Sequence, residues 1–212
     1  MFRRALIPAL LALPLLGSVA AAHPHVWISS SGEVIFDDRG EVSAVRVAWR
    51  FDELYSAFAI QGADTDKDGT TSAAELKALA EQNVTFLKEW DYFTYLKIDG
   101  IKAEIGPVTE YDNTVDDGVL TLSFVMPLAY PADPRKHRVA FASYDPSYFI
   151  AFEVDRDREP QAHGAVPEGC RVTAYGPDEA PQQVADQLIQ ALVQSGDWAA
   201  QYAPVVRVEC GD

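Results

Sequence analysis

The chain has 212 residues, 32 acidic against 17 basic, and a formal net charge of −15. Nucleic acid and anionic lipid surfaces are therefore repelled at long range, and cations are the natural complement. Acidity also serves solubility, so the charge excludes partners more firmly than it names one, and the length suits one domain with a substantial core or a domain carrying an insertion.

At the N-terminus, Phe2-Arg3-Arg4 is a positive start, Ala5 to Val19 is apolar apart from Ser18, and Ala20-Ala21-Ala22 fits a small-residue cleavage signal. Residues 1–22 are read as a cleaved secretory signal peptide, so the mature protein is expected to be exported. Pro8 and Pro14 interrupt the apolar run, no comparable run follows, and no cysteine stands at the cleavage site. Neither a transmembrane helix nor a lipid anchor is expected. Cleavage after Ala22 takes the formal charge from −15 to about −17 and leaves His23 as the first residue.

His23-Pro24-His25 then opens the mature chain. Residues i and i+2 of a strand share a face about 6.6 Å apart, so two imidazoles can converge on one ion. The new α-amine, with an ordinary pKa near 8, adds a third nitrogen. Pro24 has no N–H to lose, which blocks the square-planar amide mode of copper and nickel. His23 and His25 are thus the expected transition-metal ligands; the alternative is a solvated start to the first strand.

Downstream, "SSGEVIFDDRGEVSAVRVAW" reads as a hairpin turning at Asp38-Arg39-Gly40, with Val45, Val47 and Trp49 on one face. Asp52 is a helix cap, with a helix through about Phe58; a second helix runs from Ser72 to about Trp90, with Leu76, Leu79 and Leu87 near one face. Strands are expected near 93–98, 101–112, 119–126, 137–144, 148–154, 170–175 and 205–209. The charged, Pro- and Gly-containing stretch 155–169 reads as a surface loop, and a third helix is expected from Pro181 to about Ser195-Gly196. The fold class is α+β: a mainly antiparallel β-sandwich, one domain over 23–212, with 52–90 as a helix-loop-helix insertion and a C-terminal helix.

The sharpest motif joins the first two helices: "DTDKDGTTSAAE", residues 64–75. Asp64, Asp66 and Asp68 stand at positions 1, 3 and 5 of an EF-hand-like loop, and Gly69 at 6. Thr70 offers its carbonyl at 7, Ser72 sits at 9, and Glu75 closes the loop at 12. A hard cation such as calcium needs this crowd of oxygens. Ser72-x-x-Glu75 is also a capping box, which explains two of these residues without an ion but not three alternating aspartates and a glycine. Thr71, at position 8, replaces the aliphatic residue that pairs two such loops, and a single loop of modest affinity is expected.

The two cysteines, Cys170 and Cys210, suggest a disulfide in an exported chain, contributing roughly 4 kcal/mol in the chain-entropy model. Two buried free thiols are the alternative. Asp52 and Asp145 are possible carboxylate ligands, though more often a cap and a turn residue. His163 lies in the charged loop before Cys170, where it is expected to be solvated, with a swing onto a metal as the alternative, while Arg135 and Lys136 argue against a cation at His137. Trp49, Phe51, Tyr144, Tyr148, Phe149 and Phe152 read as core before ligand cleft. No hydrolytic motif is found, and no enzymatic activity is expected.

Taken together, "HPHVWI", "WRFDELYS" (49–56), the acidic loop, "LTLSFVMPL" (120–128) and "YDPSYFIAF" (144–152) resemble the DUF1007 family. Its members are described as periplasmic components of transport systems and tend to be encoded near divalent-metal permeases. The resemblance implies a periplasmic accessory protein or chaperone for zinc, nickel or cobalt, with zinc the first expectation at the histidines and a membrane metal permease as partner. Two other readings stay open: a copper oxidase or monooxygenase using the N-terminal amine, and a calcium-braced interaction domain with no transition-metal role.

Overall fold

The computed structural model describes residues 24–177, 179 and 198–211. The expected signal segment, His23 and the expected third helix lie outside these residues. Among the described residues, eleven strands and two α-helices form two facing sheets with the helices against one of them.

The predicted hairpin is strands β1 (Val26–Phe36) and β2 (Val42–Phe51), antiparallel with Val34 opposite Val45. Its turn is held by Asp37, whose carboxylate accepts from the backbone N–H groups of Arg39 and Glu41 at 2.9 Å each. The alternation is what buries Val45, Val47 and Trp49 together.

The chain continues through β3 (Thr94–Ile98), β4 (Ile101–Lys102), β5 (Tyr111–Asp116), β6 (Val119–Ala132) and β7 (Val139–Ser143). It then forms β8 (Ile150–Val154), β9 (Gln161–His163), β10 (Cys170–Tyr175) and β11 (Val205–Cys210). The first sheet has the order β5-β6-β2-β1-β8, with β9 also on β1; the second has the order β10-β11-β7-β3-β4. This is the expected α+β architecture of mainly antiparallel sheets. Two pairings depart from it, because β8 and β9 both run parallel to β1. They are successive parts of one stretch that accompanies β1 from Val26 to Ile35, linked where the Asp155 N–H donates to the Ser30 carbonyl at 2.9 Å. Asp155 and Gln161–His163 of the expected surface loop 155–169 are therefore tied to β1.

The expected strand 101–112 is also broken. Ala103 N–H still donates to Leu96 of the second sheet, whereas Gly106 N–H donates to Pro127, and Ala129 N–H donates to Glu104, in the first sheet. A strand cannot pair in two sheets at once, and Pro107 has no N–H to continue the ladder. The segment becomes a crossover, and pairing resumes at Tyr111.

Helix α1 (Glu53–Ala63) starts at Asp52 as predicted, whose side chain accepts from the Tyr55 N–H, but it runs to Ala63, beyond the expected Phe58. Helix α2 (Ala73–Leu87) turns Ala80, Val84 and Leu87 inward, with Leu76 and Leu79 packed against the same core. Both helices are sewn to the first sheet: the Ser56 hydroxyl accepts from the Leu120 N–H at 3.0 Å, and the Asn113 side-chain amide donates to the Leu76 carbonyl at 3.2 Å. The helix-loop-helix thus shares the core of the sandwich.

Between the sheets, Trp49 meets Phe124 and Phe152 edge-on, with ring centroids 5.2 and 5.1 Å apart. Gly32 of β1 marks the closest approach: an added Cβ would stand 2.6 Å from the Phe141 ring of the facing sheet. Trp49, Phe51, Tyr144 and Phe152 are buried, while Phe149 is exposed. Cys170 and Cys210 stand opposite each other on β10 and β11 and are joined, their Cα atoms 3.9 Å apart.

After α2 a 3-10 turn, Lys88–Phe93, carries the chain into β3. Asp91, Tyr92 and Phe93 take φ values of 52°, 55° and 43°, a left-handed turn that costs roughly 1–2 kcal/mol per residue. Surrounding contacts hold it: Asp91 pairs with Lys102 at 2.7 Å, Tyr92 packs on Phe124, and Phe93 is buried beside Trp90.

Candidate metal centre

Helix α1 ends at Ala63 with Asp64 as its C-cap, and α2 begins after Ser72, so the loop between them is held at both ends by helix caps. Within it the carboxylates of Asp64, Asp66 and Asp68 bring one oxygen each to within 4.8 Å of one another. Backbone N–H groups partly offset their mutual repulsion. Asp64 accepts from Asp68 at 3.2 Å and from Gly69 at 3.0 Å, Asp66 from Asp68 at 3.2 Å, and Asp68 from Thr70 at 2.7 Å. Gly69 has φ +85° and open space around its α-carbon, so the backbone conformation, not crowding, selects glycine there.

Glu75 sits differently from the three aspartates. One of its oxygens accepts from the Thr65 N–H at 2.7 Å and the Thr65 hydroxyl at 2.9 Å; the other accepts from the Ser72 N–H and hydroxyl, both at 2.9 Å. The Ser72 backbone bond first, then that of Thr65, holds the carboxyl down from 4.5 to about 2. The capping box is complete, since the Ser72 side chain also accepts from the Glu75 N–H. The helix-cap reading of these two residues therefore holds alongside the gathered aspartates. Thr70 and Ser72 occupy the same loop, both exposed.

Thr71 explains its own departure from the usual pattern. Its hydroxyl donates to the Ile60 carbonyl in the last turn of α1 at 2.9 Å, satisfying an acceptor that the helix end would otherwise leave to water. No sequence signal at position 8 announced this bond.

At the other proposed centre, His25 is exposed just before β1; its N–H donates to the Phe149 carbonyl at 2.8 Å, and its ring lies 4.8 Å from that of Phe149. Nearby, Asp52 is committed to structure: beyond capping α1 it accepts from the Trp27 N–H at 3.0 Å and returns its own N–H to the Trp27 carbonyl. Asp145 is a buried turn residue, accepting from Ser147 and from the Ile150 N–H. His163, expected to be solvated, lies in β9, half exposed, 3.2 Å from a Glu33 oxygen that Arg46 also approaches at 3.3 Å. His137 pairs with Asp99 at 2.7 Å. Among the described residues, Asp64, Asp66 and Asp68 are the one group of three or more His, Cys, Asp or Glu side chains placed to share an ion.

Fold and site together define a two-sheet α+β protein with an acidic helix-loop-helix built into its core. The family described as "Protein of unknown function (DUF1007)" matches residues 8–210, and the chain belongs to that family. An uncharacterised protein of Haemophilus influenzae is 26% identical over 178 residues, 83% of this chain and 81% of its own length. An uncharacterised 15.5 kDa protein in the trpE 3′ region of Spirochaeta aurantia is 31% identical over 86 residues, 41% of this chain and 61% of its own.

Proposed function

We propose that the chain is an exported metal-binding accessory protein, holding calcium in the Asp64–Glu75 loop and serving a divalent transition-metal transporter. The gathering of the Asp64, Asp66 and Asp68 carboxylates carries the calcium reading. Calcium takes six to eight oxygens at about 2.3–2.6 Å, and the Thr70 carbonyl, Ser72 and Glu75 supply further donors in the same loop. Glu75 joins only by exchanging hydrogen bonds from Thr65 and Ser72 for the ion, so affinity is set by competition between metal and helix cap. A single loop in which Asp66 and Asp68 are exposed and Asp64 is half-buried suits roughly the 10⁻⁴ to 10⁻³ M range of extracellular modules.

The transporter part rests on the family resemblance and on the N-terminal histidines. In this reading His23, His25 and the α-amine of the processed chain are the ligand set, with zinc expected first. Equilibrium titration of correctly processed protein with calcium, zinc, nickel and copper tests both halves. Calcium should bind and be lost in an Asp64→Asn, Asp66→Asn, Asp68→Asn variant; zinc should bind and be lost in His23→Ala, His25→Ala. A melting temperature unmoved by calcium well above millimolar sinks the loop, and zinc binding indifferent to the histidine changes sinks the second centre.

A further inference from the structure

We propose that the open edge of β8 binds an extended, basic segment of a partner polypeptide, which adds to the first sheet as a further strand. β8 ends that sheet and pairs only with β1. Along a strand the N–H and C=O of one residue point to one side, and those of the next residue to the other. The Phe149 carbonyl accepts from the His25 N–H at 2.8 Å, and the Asp155 N–H donates to the Ser30 carbonyl at 2.9 Å, so the odd-numbered residues here face β1. Ile150, Phe152 and Val154 therefore turn their backbone groups away from the sheet. The Ile150 N–H is taken by the Asp145 carboxylate at 3.1 Å, which closes one end of the edge. Among the described residues no hydrogen bond reaches the backbone of Phe152 or Val154 on that side.

The edge lies in a groove of about 370 Å³ whose lining runs through five consecutive residues, Ile150–Val154. Its other walls include Pro177 and the 3-10 turn Trp198–Tyr202, and the rings of Tyr148 and Tyr202 stand 5.8 Å apart in them. The groove is reached from solvent at Glu153 and Tyr202, both exposed, and at Val154, half-buried. Unpaired backbone groups in a partly covered site cost free energy until they are matched. A row of them specifies the class of occupant, because a polypeptide strand repeats donor and acceptor at the same interval.

Charge selects basic side chains on that strand. Asp145 and Glu153 line the groove, and Arg156, the cation among the lining residues, is paired with Glu179 at 2.6 Å. Three carboxylates against one guanidinium leave the groove negative. Just beyond it Arg158 faces Asp155 at 3.9 Å, which adds no net charge. Lysine or arginine on the incoming strand is attracted where glutamate is repelled.

The test is a chemical-shift and hydrogen-exchange titration of the full chain with the blocked peptide Lys-Val-Lys-Val-Lys. Its controls are the same peptide N-methylated at the lysines, the same peptide N-methylated at the valines, and blocked Glu-Val-Glu-Val-Glu. The expected result is saturable shifts at Ile150, Phe152 and Val154, with slowed exchange at the Phe152 and Val154 amides. One of the two methylated forms should lose binding, because its donors face β8. The glutamate peptide should bind about tenfold more weakly at low salt, and Glu153→Gln should shrink that ratio. Val154→Pro, which removes an edge N–H and is tolerated on edge strands, should weaken binding about tenfold; the methylated peptides decide the matter where that variant does not fold. Absence of saturable shifts at these residues, or both methylated forms binding like the parent, overturns the strand addition. Amides of Phe152 and Val154 that exchange as slowly without peptide show that the chain's own backbone holds the edge, and overturn the partner. A glutamate peptide that binds as tightly overturns the basic assignment.

Discussion

The acidic loop and the interlayer cleft sit at opposite ends of one helix and were built in opposite ways. The loop draws its oxygens from the consecutive stretch Asp64–Glu75, so its chemistry is written in a single line of sequence. The cleft, about 710 Å³ between the two sheets, draws its surface from α2, the 3-10 turn, β3, the crossover, β5 and β6, where the crossover pairs with both sheets in turn. A site of the first kind is set by local spacing and survives changes elsewhere in the fold. A site of the second kind is a by-product of packing, and it fails when the packing moves.

The largest effect that tests this contrast is Met126→Ala. Removing a side chain 1% exposed at the cleft floor should destabilise the protein by about 2–5 kcal/mol in urea unfolding, while calcium affinity stays within about twofold if the regions are independent. A parallel loss of calcium binding would show that α2 couples them.

Next in size, calcium at 100 times its dissociation constant should stabilise the chain by about 2.7 kcal/mol. The gain should vanish in the triple aspartate-to-asparagine variant, as read from melting temperatures.

Ser72→Ala should cost about 1 kcal/mol through the lost cap, and it also withdraws a hydroxyl donor from Glu75. The Glu75 carboxyl, held at about 2 in the folded chain against 4.5 ordinarily, should then titrate higher, which carboxyl NMR resolves. Because the folded value is the lower one, the stabilisation from these bonds is fully present above about pH 4.5 and is lost as pH falls through about 2. The part of the difference that comes from the Ser72 hydroxyl on the Glu75 carboxylate should therefore be largest above about pH 4.5 and vanish in strong acid, leaving the pH-independent loss of the cap.

The smallest expected change is Thr71→Val, which deletes the bond to the Ile60 carbonyl and should cost about 0.5–1.5 kcal/mol in urea unfolding. It leaves every proposed ion ligand in place, so calcium affinity should hold. A fall in affinity would show that the clasp on α1 helps to shape the loop.

Legibility in the sequence followed the same division between local and long-range causes. Period-two alternation located Val45, Val47 and Trp49, the cap at Asp52 located α1, and two lone cysteines in an exported-looking chain pointed to their pairing. None of these needs knowledge of a distant partner. The crossover read as one strand because its residues suit a strand, and only the competition between Leu96 and Pro127 for its backbone reveals the break. The parallel run of β8 and β9 along β1 was hidden for the same reason: Ile150 and Gln161 carry no mark of which strand, or which direction, they will pair with. At the loop, the aspartates were legible, but the partners of Glu75 and Thr71 depend on how the two helix ends are brought together.

The Cys170–Cys210 link also governs how the chain behaves when it is cut. Its two ends lie on neighbouring strands with 40 residues of sequence separation, and β11 sits between β10 and β7 in the second sheet. A protease that cleaves once between the two cysteines leaves both fragments covalently joined and β11 still tethered to its neighbour. Such a nick would be silent on a non-reducing gel and would appear as two bands only after reduction. Release of the fragment that carries β11 from the rest of the protein therefore requires two chemical events, one on a peptide bond and one on sulfur.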